Sequence, residues 1–183
     1  MTFSTPKFRY LFRHLFRHLP QTFGLVLAVA ISAAAHASEG EKTQILPSAD
    51  NAKWRAECSV CHQLYHPALL PERSWRKMMG GLDRHFGKSV KLDAAVQQEI
   101  TGFLVAHAAE HSKNNRAQKI AKKTQLDETP LRIEDTAFFN LHHNEIGADV
   151  WQRKAIGGKT NCMACHPAAD KGNFDEKAIQ IPR

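Results

Sequence analysis

The chain has 183 residues, of which 43% are hydrophobic, and a formal net charge of +7 at pH 7. That excess is concentrated at the start: the first 37 residues hold four cations and no acid, so the remainder carries 21 Lys and Arg against 18 Asp and Glu, a net charge of +3. The basic balance therefore gives no ground for a nucleic-acid partner, and the remaining length suits one domain or two small ones.

In chain order, Met1 to Gln21 contains Lys7, Arg9, Arg13 and Arg17, and Phe23 to Ala35 is an apolar run closed by Ala35-His36-Ala37. This order of charge, apolar run and small-residue site predicts a secretory signal peptide over 1–37, cleaved near Ala37. The run has 13 residues, short of the roughly 20 that span a bilayer, so no transmembrane segment is expected in the mature protein. His14, His18 and His36 leave with the leader.

Ser38 to Pro47 is polar, and Ser48 or Asp50 is placed to cap a short helix through Trp54. That helix leads into Cys58-Ser59-Val60-Cys61-His62, and the same pattern returns 104 residues later as Cys162-Met163-Ala164-Cys165-His166. Both are CxxCH, the c-type haem attachment motif. Two thiols at this spacing can each add to one vinyl group on a haem edge, and the adjacent histidine becomes the proximal iron ligand. Cys58, Cys61, Cys162 and Cys165 are thus expected to bind two covalent haem c groups, with His62 and His166 as axial ligands. A four-cysteine zinc site would need its two pairs within about 20 residues and has no use for the histidines. Redox disulfides would need a βαβ context that the flanks lack.

Tyr65 to Pro71 is bounded by prolines and reads as an extended loop. Ser74 is expected to cap a helix holding Trp75, Met78, Met79, Leu82, His85 and Phe86, which share about 120° of a helical wheel. A further helix is expected from Asp93 to about His111. Lys113, Arg116, Lys119, Lys122 and Lys123 form a basic run without acids, read as a solvated connector over 113–128. Thr129 to Ile133 is extended, Asp135 can cap a short helix with Phe138, Phe139, Leu141, His142 and His143, and Gly147 and Gly157-Gly158 make loops around Trp151.

The sixth ligands are narrowed by exclusion. No His or Met follows His166, so a distal ligand for the second haem comes from earlier in the chain, and His142 and His143 are nearest. For the first haem, His66 is too close to His62 to circle the macrocycle. His85 follows by 23 residues, with Met78, Met79 and His107 as competitors. Helical spacing alone leans toward His142 over His143.

Trp75-Arg76-Lys77-Met78, His85-Phe86-Gly87, His143-Asn144-Glu145-Ile146, Asn161 to His166 and the closing Ile181-Pro182-Arg183 resemble the periplasmic dihaem cytochrome c family, often called DHC. The resemblance implies a periplasmic single-electron carrier with bis-histidine haems, in which His85 and His143 match the two distal ligands. It also implies an oxygen-binding monohaem cytochrome as acceptor and a membrane b-type cytochrome as a donor in some bacteria. One departure is Asn144, where the family pattern has Asp.

The fold expected is mostly α, with two small c-type haem domains: a cytochrome c-like one over 38–112 and a short, irregular haem-wrapping one over 129–183. The chain is read as a carrier and not an enzyme. The competing classes are a dihaem peroxidase-like or ligand-binding enzyme, which needs an open iron position, and a redox subunit of a periplasmic reductase.

Overall fold

The computed structural model describes residues 46–183, so the expected leader over 1–37 lies outside the described residues. Among the described residues there are six α-helices, seven short 3-10 turns and no strand, the one isolated bridge joining His85 to Lys88. The mostly α expectation is met. No helix among the described residues is long and apolar enough to cross a membrane.

Helix α1, Ala52–Cys58, is capped by Asn51, whose side chain accepts the Trp54 N–H at 2.9 Å. Ser48 and Asp50 are not the cap, because Asn51 is the residue whose carbonyl oxygen reaches the free N–H of the first turn. Helix α2, Glu72–Gly80, starts after Pro71, and Ser74 lies buried inside it instead of capping it. The cap comes from elsewhere: a Glu110 carboxylate oxygen accepts the Glu72 N–H at 3.0 Å. Helix α3, Ala94–Ala106, starts next to Asp93 as expected, with Asp93 as its cap, but it ends at His107, and a 3-10 turn over Ala109–His111 replaces its predicted last turn.

These three helices enclose the larger core, which contains Trp54, Leu70, Trp75, Met79, Ile100 and Leu104. Trp54 stands 5.2 Å from Phe103 by ring centroids, and the Gln97 amide donates to the Met79 carbonyl at 2.7 Å. Burying a large apolar side chain contributes about 1.5–3 kcal/mol, so this set carries most of the packing of the first half. The proline-bounded loop is not wholly extended: Pro67–Leu69 form a 3-10 turn, and the Pro67 carbonyl accepts the Trp75 indole N–H at 2.7 Å.

The basic run is a helix and not an irregular connector. Helix α4, Asn115–Lys123, is capped by Asn114 and buries Ala117 and Ile120 while Lys119, Lys122 and Lys123 stay exposed. Four cations on an amphipathic nine-residue helix give the same composition as a solvated linker, and only the i, i+3 spacing of Ala117 and Ile120 separates the two. The Arg73 guanidinium of α2 donates to the carbonyls of Thr124, Gln125 and Glu128 just past the end of α4, where a cation also suits the helix dipole.

Helix α5, Ala137–His142, is capped by Thr136, whose hydroxyl accepts the Phe139 N–H at 3.1 Å, so Asp135 is one residue too early. Helix α6, Ala148–Trp151, is a single turn. The C-terminal tail folds back, with the Gln180 N–H donating to the Cys165 carbonyl at 2.9 Å and Arg153 donating to the Pro182 carbonyl at 2.9 Å.

Candidate functional site

His62 lies just past α1, and its ring centre is 6.1 Å from that of His85, with 27° between the ring planes. His85 reaches it from a turn and not from the predicted helix. The chain leaves α2 at Gly80, makes a 3-10 turn over Leu82–Arg84, and then closes a tight turn in which the His85 carbonyl accepts the Lys88 N–H at 3.0 Å. Phe86 and Gly87 occupy its centre with φ of 49° and 85°. A left-handed phenylalanine costs about 1–3 kcal/mol, and the Arg132 guanidinium stacked 4.2 Å over its ring offsets part of that.

The second pair is His143 and His166, with ring centres 6.2 Å apart and planes at 78°. His143 is the C-cap of α5 and stacks on Phe139 at 4.0 Å. His142, one residue earlier, turns its ring onto Phe138 at 4.4 Å. Both line the cavity next to the second motif, but only His143 faces His166 in this way.

The remaining candidates are engaged elsewhere. His107 bonds to the Phe103 carbonyl at 2.9 Å, and His111 bonds to a Glu72 carboxylate oxygen at 2.7 Å. His66 is held between the Pro47 carbonyl and the Ala68 N–H. Met79 is core.

The residues fit a haem at each place. In every one of the four rings Nδ1 is the nitrogen turned into the protein: His62 and His143 bond through it to the carbonyls of Gln63 and Phe139, at 2.6 and 2.9 Å, and it is buried in His85 and His166. No described residue bonds to the Nε2 of any of the four, which leaves that nitrogen for a metal. Burial first, and then the facing ring of His62 or His143, lowers the pKa of His85 and His166 from the ordinary histidine value, which favours the neutral form that coordinates iron.

Next to His143 and His166 lies a cavity of about 370 Å3 whose lining is mainly apolar, including Ile120, Phe139, Ile146, Trp151, Phe174 and Ile181. Residues as far apart as Leu46 and Ile181 thus converge on the second motif.

The four thiols are unpaired. Burial, followed by the charge of Glu57, pushes Cys58 up to about 11, and burial raises Cys162 and Cys165 as well. Those are not the low-pKa thiols of a redox disulfide. Among the described residues no group of three or more His, Cys, Asp or Glu converges as a metal site, so the zinc reading finds no cage.

The residues that the sequence did not single out join the two motifs. The Gln63 amide donates to the Thr160 carbonyl at 3.0 Å and accepts the Met163 N–H at 3.1 Å, and the Tyr65 hydroxyl also donates to the Thr160 carbonyl at 3.0 Å. No local pattern marks a partner about 100 positions away.

Residues 54–174 match the family described as dihaem cytochrome c. A dihaem cytochrome c structure from Rhodobacter sphaeroides is 36% identical, with a TM-score of 0.62, and the match covers 70% of this chain and all of that one. The new dihaem cytochrome type c of Shewanella baltica OS155 is 34% identical, with a TM-score of 0.59, over 72% of this chain and 93% of that one. None of the curated proteins matches. With the family matched across most of its length, the chain belongs to the dihaem cytochrome c family, c-type electron carriers with two covalently bound haem c groups.

Proposed function

We propose that the chain is a periplasmic single-electron carrier whose two haems are both bis-histidine. Cys58 and Cys61 hold the first, with His62 and His85 on its iron; Cys162 and Cys165 hold the second, with His166 and His143. The halves 38–112 and 129–183, joined through 113–128, each supply the attachment motif and ligands of one haem, with Leu46, Leu69, Arg116 and Ile120 adding to the wall of the second.

One observation carries the ligation. An imidazole nitrogen sits about 2 Å from a bound metal and about 1 Å short of its own ring centre, so two rings facing each other across one ion have centres about 6 Å apart. The two pairs stand at 6.1 and 6.2 Å. Packed pairs such as Phe139 and Trp151 at 6.1 Å share that separation, and what sets the two histidine pairs apart is that no described residue bonds to any of their four Nε2 atoms.

The haems supply one-electron exchange at iron. The chain's part is to orient His62 and His143 through their Nδ1 bonds to the Gln63 and Phe139 carbonyls, to hold His85 and His166 with Nδ1 buried, to exclude water with the apolar wall around Phe139, Trp151 and Phe174, and to leave no iron position open. Two imidazoles favour a lower potential than a Met/His pair. A carrier of that kind suits an oxygen-binding monohaem cytochrome as acceptor and a membrane b-type cytochrome as donor.

The test is the spectrum of the purified ferrous protein with and without carbon monoxide. Two low-spin haems that ignore carbon monoxide support the carrier. A haem that binds it at once supports a peroxidase-like or ligand-binding enzyme instead.

A further inference from the structure

We propose that Gln63 is the positioning residue that fixes the two haem centres relative to each other, and so sets how strongly reduction of one affects the other. Gln63 follows His62 directly, and its main-chain carbonyl accepts the His62 Nδ1–H at 2.6 Å. Its side chain grips the other motif from both sides of Cys162: the amide N–H meets the Thr160 carbonyl two residues before, and the amide oxygen meets the Met163 N–H one residue after. One residue therefore orients a ring of the first centre through its backbone and the attachment segment of the second through its side chain.

The arrangement is two-point, and that is what makes it a clamp. A single hydrogen bond allows rotation about its axis, whereas a donor and an acceptor on one planar amide fix both separation and tilt. Tyr65 adds a third bond, to the same Thr160 carbonyl, and its ring lies 5.1 Å from that of His62. Elsewhere the halves meet through the Leu46 N–H bond to the Gly172 carbonyl, the Arg132 stack on Phe86 and the packing of Phe174 on the Leu46 cluster, none of which is a two-point bond to an attachment segment. Charge on one centre is felt at the other in inverse proportion to distance, so a fixed arrangement gives one defined interaction, and a loosened one gives a smaller, spread-out value.

This role rests on haem attachment at both CxxCH segments, which intact mass reads separately, and it does not depend on which histidines are the distal ligands. The experiment uses full-length holoprotein carrying Gln63→Leu, similar in size but without either bond, with Tyr65→Phe as a partial loss and Gln63→Glu keeping only the acceptor. Pulsed paramagnetic resonance on the oxidised protein reads the dipolar interaction between the two ferric centres, and a dithionite titration reads the gap between the two one-electron steps.

In Gln63→Leu both haem spectra are expected to stay unchanged, the dipolar interaction to fall at least twofold or broaden, and the gap to narrow. Gln63→Glu and Tyr65→Phe are expected to lie between. An Ile100→Val control, which loosens the core without touching the clamp, should leave both readouts at the wild-type value. A dipolar interaction and a gap unchanged in both Gln63 variants would overturn the proposal, as would equal changes in the Ile100 control. Should the Leu variant fail to fold, Gln63→Glu and Tyr65→Phe decide in the same way.

Discussion

His143 donates its Nδ1–H to the Phe139 carbonyl at 2.9 Å, one helical turn back at the frayed end of α5. That bond fixes the tautomer and leaves Nε2 free on a ring whose centre is 6.2 Å from that of His166. His142, one residue earlier, is turned onto Phe138. His143→Ala is therefore expected to make the second haem high-spin and reactive with carbon monoxide, half of the total haem by titration, while His142→Ala leaves both haems low-spin. The reverse pair of spectra would give the role to His142.

The first haem offers a parallel test. His85 faces His62, whereas His107 is tied to the Phe103 carbonyl and packs on the Phe103 ring at 4.7 Å. His85→Ala should open one iron to carbon monoxide and leave the second haem as it was, with His107→Ala silent in the same assay. Carbon monoxide binding in the His107 variant alone would overturn the assignment.

The two CxxCH segments, the family and the helical class were legible because covalent haem chemistry fixes spacing and residue type along the chain itself. The surroundings of His85 were not. An apolar stripe reports which face is buried but not where the helix stops, and the turn through Phe86 and Gly87 depends on a contact with Arg132, 46 positions away. The caps missed by one or a few residues, at Asn51 and Thr136, show the same limit: several polar side chains compete, and the fold decides which of them reaches a free N–H. The Gln63 clamp left no local trace at all.

Core packing predicts stability. Ile100 is fully buried among Trp54, Leu104 and Met79, so Ile100→Ala should cost about 2–5 kcal/mol by the usual cavity penalty. Asn51→Ala removes a single cap and should cost about 1 kcal/mol. Denaturant midpoints of the holoprotein, compared with wild type, read both. An Ile100→Ala cost no larger than that of the cap would mean that the haem carries this core by itself.

The exposed lysines of α4 predict a salt effect. Lys119, Lys122 and Lys123 stand in solvent while Ala117 and Ile120 hold the helix down. If they steer an acidic acceptor cytochrome, changing all three to Glu should slow electron transfer at low ionic strength. The difference should shrink as the Debye length falls to about 8 Å near 0.15 M salt. Equal rates at every ionic strength would reduce the patch to solubility.

The last prediction concerns His66, which is only 2% exposed. Its Nε2–H donates to the Pro47 carbonyl at 2.6 Å, and its Nδ1 accepts the Ala68 N–H at 3.1 Å. The Ala68 bond needs the neutral ring, because a protonated Nδ1 would point a hydrogen at the Ala68 N–H, whereas the Pro47 bond survives protonation. Beside it, the Gly172 carbonyl accepts the Leu46 N–H at 3.2 Å. A side chain at Gly172, where φ is +73°, would come within 2.8 Å of the His66 ring. Leu46 and Pro47 are thus clasped against the second haem cavity, which Leu46 lines. Burial first, and then the charge of His107, lowers the His66 pKa, the Pro47 bond opposing them. With the folded value below the unfolded one, the unfolded chain binds a proton first as pH falls. Stability is accordingly complete above the ordinary value of about 6.5 and drains away as pH falls toward the folded value, by at most about 1.4 kcal/mol per pH unit. His66→Asn keeps an oxygen for the Ala68 N–H but loses the bond to Pro47. It should be less stable by about 1–2 kcal/mol at pH 8, and its loss of stability between pH 7 and 5 should be shallower than that of wild type. Parallel stability curves for the two proteins across that window would show that another group carries the pH dependence.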